Sequence, residues 1–228
     1  MPNSSRNGNL RFIGNFMSQF SDLTTLSMMF PTFLGEARFP DFADEKNSLL
    51  ASIDRVRRED TEGVAISSQY YAHGYTSFFT RNTLFTEPGF EKLATFISQQ
   101  ATYYCAKQFW DLQRFEPLMT SMWCNVNGKH SYHAEHLHPF SHISGVFYIN
   151  CSRDSGDIAF KDPRPGRMMV PPPAAQSVPE NSMVVKIIPE DGKLLMFPSF
   201  LEHSVAQNPT DTQRVSISFN FEMRQRIT

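Results

Sequence analysis

From residue 119 onward the chain is written in short β-rich runs, and this texture restricts the possible folds more than any other feature of the sequence. MTSMWCNVN, SGVFYINC, GDIAFKD, MVVKIIP, KLLMFPS and RVSISFNFEM follow one another, with turn residues such as Asn127-Gly128, Ser155-Gly156 and Asp191-Gly192 between them. Short strands at this spacing predict a barrel or a sandwich. The first half reads as mixed and mostly helical. Residues 43–59 open with Asp44 as a candidate cap and place Leu49, Ile53 and Val56 at helical spacing. A second helix is predicted from about Pro88 to Gln108, with Phe90, Leu93, Ala94, Ile97, Ala101, Tyr104 and Cys105 on one stripe. The fold class is therefore mainly β with flanking helices, an α+β arrangement. Residues 162–182 are too rich in proline for a central strand and read as a long loop, either a lid over a site or a surface excursion.

Composition enters by what it excludes. At 228 residues, 40% hydrophobic and 13% aromatic, the chain can bury a substantial core as one large domain. Its 21 basic and 23 acidic residues give a net charge of −2 with no basic stripe, which argues against a nucleic-acid backbone as the main partner but leaves a modified nucleobase open. Cys105, Cys124 and Cys151 are odd in number and form no CxxC, so a reduced, cytoplasmic location is expected. No apolar run approaches a membrane span, and the polar start MPNSSRNGNLRF lacks the pattern of a signal peptide.

The chemistry concentrates in histidine. Five of the seven histidines lie between residues 130 and 142: His130, His133, His136, His138 and His142. On an extended strand residues i and i+2 share a face, so His136 and His138 point together and can chelate one ion. His133 and Glu135 share the opposite parity and would face away, unless a bulge intervenes. His203 follows KLLMFPSFLE, an apolar strand and turn, and can supply a third ligand to a facial site with open positions.

The C-terminal strand adds a second function. Alternation places Arg214, Ser216, Ser218 and Asn220 on one face and Val215, Ile217, Phe219 and Phe221 on the other. With the apolar face buried, the polar face either meets solvent or lines a cavity. In the cavity case Arg214 and Ser216 suit a carboxylate clamp.

An ordered set of residues then resembles a known family. Gly128, His136-x-His138-Pro139, Ser144-Gly145-Val146-x-Tyr148, Phe160-x-Asp162-Pro163-Arg164, Phe197-Pro198-Ser199 before His203, and Arg214-x-Ser216-Ile217-Ser218-Phe219-Asn220 look like the 2-oxoglutarate/Fe(II)-dependent oxygenases of the bacterial and phage HxHP type. Phe30-Pro31-Thr32 and Trp123-x-Asn125-Val126 extend the likeness upstream. The resemblance implies a double-stranded β-helix (jelly roll), cupin-like in its core. It implies a polar segment over 1–25 and one oxygenase domain over 26–228, with helices mostly in 40–118 and the barrel mostly in 119–224. It implies Fe(II), 2-oxoglutarate and O2 as cofactors, with His136 and His203 as metal ligands. It further implies that Arg214 and Ser216 hold the distal carboxylate of 2-oxoglutarate, with Ser144 or Tyr148 adding hydrogen bonds.

One departure matters. The wider superfamily places Asp or Glu where this chain has His138. His138 as a third neutral ligand, Glu135 reaching in, or a loop carboxylate such as Asp162 are the options, and spacing favours His138. Zn(II) also tolerates three histidines. The expected activity is oxidation, with hydroxylation as the outcome, of a small molecule or an amino-acid or peptide side chain, releasing succinate and CO2. Two other readings stay open: a cupin-type metal enzyme without 2-oxoglutarate, since Gly192, Pro198 and His203 fit the second cupin motif apart from Phe200, and a non-enzymatic binding module on the same barrel.

Overall fold

A computed structural model describes residues 25, 27–70, 73–164 and 173–226. The described residues from Phe33 onward form one compact unit, and most of the polar segment expected at 1–25 lies outside the described residues. The middle of the expected 162–182 loop, 165–172, also lies outside them.

The described residues contain ten strands: β1 (Gly35–Arg38), β2 (Gly74–Thr76), β3 (Phe115–Asn127), β4 (His133–His136), β5 (Ile143–Asn150), β6 (Ile158–Lys161), β7 (Val184–Ile187), β8 (Lys193–Pro198), β9 (His203–Val205) and β10 (Arg214–Gln225). Three α-helices accompany them: α1 (Phe42–Glu59), α2 (Thr61–Tyr70) and α3 (Glu91–Lys107). The strands make two antiparallel sheets, ordered β1-β8-β5-β10-β3-β2 and β4-β9-β6-β7. The strand texture predicts a barrel or sandwich, and this arrangement is the double-stranded β-helix that the family resemblance implies.

The larger sheet is buried on both faces, which explains runs as apolar as KLLMFP. Its outer face, with Phe147, Ile217, Phe219 and Phe221, shares a core with Leu49, Ile53, Leu93 and Ile97 of α1 and α3. Each large side chain so buried contributes about 2 kcal/mol. Its inner face, with Val146, Tyr148, Leu195 and Phe197, packs with Ile158 and Phe160 of the smaller sheet.

Two sequence expectations need correction. Helix α1 starts at Phe42, so Asp44 lies in its first turn beside the helix dipole and is not the cap. The extended segment through the histidines ends at His136, so His138 sits in the following loop, not on the strand. Helix α2 escaped the sequence reading because its apolar stripe is weak, with only Gly63 and Ser67 buried.

Candidate metal and co-substrate site

The inner faces of β3, β5 and β10 and the strands β4 and β9 surround one cavity. Its walls include His133, His136, His138, His203, Tyr148, Arg214 and Ser216, together with Trp123 and Asn125. Two of the predicted groups, the histidine set and the C-terminal Arg-x-Ser pair, therefore meet in one space.

His136 and His203 face each other across the β4–β9 pairing, with ring centroids 4.3 Å apart. His138 reaches the same place from its loop, held by its backbone N–H donating to the Ser199 carbonyl at 3.0 Å, and its ring stacks on that of His203 at 5.2 Å. Each of the three offers a ligand atom, and these atoms lie within 4.8 Å of one another. A set this compact could hold one metal ion.

The ring orientations suit ligation. His136 Nδ1 lies 2.7 Å from the Ala134 carbonyl and His203 Nδ1 2.9 Å from the Leu201 carbonyl. A carbonyl only accepts, so each Nδ1 carries the proton and each Nε2 keeps its lone pair for a metal. Burial, reinforced by the neighbouring imidazoles, holds His138 down to about 3. Burial likewise holds His203 down to about 4. Both rings are therefore neutral near pH 7, as ligands must be.

The other end of the cavity is cationic. Arg214 is 2% exposed, so its strand face lines a cavity and does not meet solvent. Its Nη1 donates to the carbonyls of Ser155 at 2.5 Å, Gly156 at 3.1 Å and Ala206 at 3.5 Å, which fixes the guanidinium plane. Ser216 stands opposite Tyr148 on β5 and Asn125 on β3. Burial raises the Tyr148 phenol above its ordinary range, leaving it a neutral hydrogen-bonding group.

Asn125 was not singled out as a site residue. It is 4% exposed and its Nδ2 donates to Ser218 Oγ at 3.1 Å, while its buried Oδ1 has no partner. Half a turn of the amide gives Ser218 the oxygen and presents the N–H2 elsewhere, so the side chain can donate to an anion in the cavity. An orphaned polar atom and a buried guanidinium on one cavity fit a dianionic co-substrate.

Ser144 is not brought to this cavity. It lies 2.8 Å from Ser199 Oγ and donates to Asn220 Oδ1 at 2.7 Å. Glu135 is turned out to pair with Lys161, and Asp162 pairs with Arg164 at 2.6 Å. Neither carboxylate is in the group that could hold a metal. On the other flank, Trp123 lies 5.9 Å from the His138 ring and 5.0 Å from Phe78, which is 41% exposed and touches Phe79, itself 55% exposed.

Fold and cavity together define a jelly-roll protein with three convergent imidazoles and a buried arginine facing one space. Residues 121–220 match the model of a family described as "Putative 2OG-Fe(II) oxygenase". Over these residues the barrel is similar to the 2OG-Fe(II) oxygenases, enzymes that work with iron(II) and 2-oxoglutarate. The cupin-type and non-enzymatic readings are not those of this family.

Solved structures share the fold. A prolyl-4-hydroxylase from Pseudomonas putida aligns over 84% of this chain and 92% of its own, at 15% identity and a TM-score of 0.54. A Trichoplax adhaerens prolyl hydroxylase, solved with a hypoxia inducible factor peptide, aligns over 97% and 94% at 13% identity and 0.52. HygX from Streptomyces hygroscopicus, solved with nickel, 2-oxoglutarate and hygromycin B, aligns over 84% and 83% at 13% identity and 0.52. No curated protein matches the sequence. No helix among the described residues is long and apolar enough to cross a membrane.

Proposed function

We propose that His136, His138 and His203 hold the iron, and that Arg214 with Ser216 receives the distal carboxylate of 2-oxoglutarate. Tyr148, opposite Ser216, adds a hydrogen bond to the same ligand. The observation that carries this assignment is the paired Nδ1 contacts of His136 and His203, which aim two Nε2 lone pairs at one point in a cavity shared with Arg214. Bound there, iron and the keto acid supply the oxidising chemistry, in which dioxygen is consumed, succinate and CO2 are released and a substrate C–H is oxidised. The chain's own part is to orient and to exclude water. Three neutral ligands leave the ion its full charge, which a dianion anchored on Arg214 offsets. The buried walls around Arg214, Ser216 and Tyr148 strengthen these charge interactions.

The substrate is a small molecule or an amino-acid or peptide side chain, hydroxylated beside the metal. The exposed Phe78 and Phe79, continuous with Trp123 and His138, support approach over an apolar wall. A cytoplasmic setting fits three free cysteines, two of them buried.

The test is anaerobic loading of the purified chain with Fe(II) followed by 2-oxoglutarate, read as a visible charge-transfer band. Wild type should develop the band. His136→Ala and His203→Ala should lose metal binding by about a hundredfold or more, by analogy with the loss of one ligand from a small site. Arg214→Ala should keep the metal and need a far higher 2-oxoglutarate concentration. Unchanged metal affinity in both histidine variants would sink the assignment.

A further inference from the structure

A bulge turns a fourth histidine into the cavity. β4 and β9 pair at His133↔Val205 and at His136↔His203, with a register shift between the two pairs. Three steps on β4 therefore face two on β9, and the surplus residue is absorbed as a bulge. His133 and His136 consequently face the same space despite their odd spacing, with ring centroids 5.8 Å apart. Glu135 takes the outward direction toward Lys161.

The position along the cavity is informative. Val205, the partner of His133, is two residues beyond His203 on β9. The next residue, Ala206, gives its carbonyl to Arg214 Nη1. His133 thus stands on the stretch that runs from the three histidines to Arg214. A co-substrate gripped by the metal at one end and by Arg214 at the other must cross this stretch.

We infer that His133 is a positioning residue for 2-oxoglutarate, its ring N–H donating to a carboxylate oxygen of the co-substrate held between the histidine triad and Arg214. The inference rests on the assignment proposed above. A hydrogen bond to a carboxylate contributes more than one between neutral groups, enough for about a tenfold change in affinity.

The experiment is calorimetric titration of 2-oxoglutarate into the full chain loaded anaerobically with Fe(II), with Fe(II) affinity measured separately. His133→Phe keeps a ring and removes the donor; His133→Asn keeps an N–H donor. His133→Phe should raise the Kd for 2-oxoglutarate about tenfold and leave Fe(II) affinity unchanged, and His133→Asn should recover most of the loss. An unchanged Kd in His133→Phe overturns the inference. So does a parallel loss of Fe(II) affinity, which would make His133 a metal ligand. If His133→Phe does not fold, His133→Ala and His133→Asn give the same comparison. If instead Arg214→Ala leaves the Kd of 2-oxoglutarate unchanged, the underlying site assignment fails, whatever His133 does.

Discussion

Gly156 shows how much a single residue without a side chain can control here. Its φ is +102°, a region that L side chains rarely adopt, and a Cβ built there would stand 2.3 Å from the Ala206 carbonyl oxygen and 2.6 Å from Arg214 Nη1. The glycine thus lets the backbone close over the guanidinium so that three carbonyls can hold it. Gly156→Ala must displace either the loop or the arginine. The expected outcome is a tenfold or larger rise in the Kd for 2-oxoglutarate, from a loss of about 1.4 kcal/mol or more, with Fe(II) affinity retained because the three histidines lie on β4, the loop after it and β9, away from Gly156. Paired titrations of metal and co-substrate check this split, and equal loss of both would count against it. In the sequence Ser155-Gly156 is only a turn signal; nothing local says that an arginine 58 residues away packs against it.

At the scale of the element, the turn after β2 is held more firmly than its exposed tip suggests. Asp60, between α1 and α2, accepts from the backbone N–H of Gly63 at 2.9 Å, from Tyr75 Oη at 2.7 Å and from Thr80 Oγ1 at 2.7 Å. Ser77 Oγ donates to the Arg81 carbonyl at 2.9 Å and accepts from the Cys124 N–H at 3.1 Å. Arg81 is further tied to Glu87 at 2.6 Å and Glu59 at 3.1 Å. Phe78 and Phe79 are therefore presented on a fixed base against Trp123. Asp60→Ala strands a buried tyrosine hydroxyl and a backbone N–H, a cost of about 3 kcal/mol, equivalent to a fall in melting temperature of about 6–12 °C for a chain of this size. Calorimetry measures it, and a fall within a degree of wild type would show the network to be dispensable. Among the described aromatics from Tyr70 to Phe79, Tyr75 belongs to the core while Tyr70, Phe78 and Phe79 are exposed.

For the whole molecule, the alkaline limit of stability follows from the buried thiols. Burial pushes Cys105 and Cys124 up to about 11. Burial, then the Asp191 carboxylate, pushes Cys151 up to about 12. In the unfolded chain these thiols ionise near 8.5. Between that value and 11 the folded state holds more protons than the unfolded one, so stability falls as pH rises. It is complete below about 8.5 and declines steadily above it. Melting under reducing conditions from pH 7.5 to 10.5 checks the slope, and Cys124→Ala, which removes one titrating group, should flatten it. A melting temperature that holds constant across that range would refute the linkage.

The sequence by itself determined the strand texture, the two long helices and the parity of β10, because each rests on local periodicity and on which residues can be buried together. His136, His203, Arg214 and Ser216, singled out as candidates in the sequence, do line one cavity. Only the tertiary structure decided the rest. Parity failed for His133, which a bulge turns inward, and for His138, which arrives on a loop pinned to Ser199. A bulge is set by pairing with a distant strand, so no local pattern reports it. Ser144 has the right strand face and the right chemistry, yet Ser199 and Asn220 claim it at the far layer of the barrel. Alternation along a strand says which face a residue shares; how deep along the barrel it lies is fixed by register with neighbours far away in the chain.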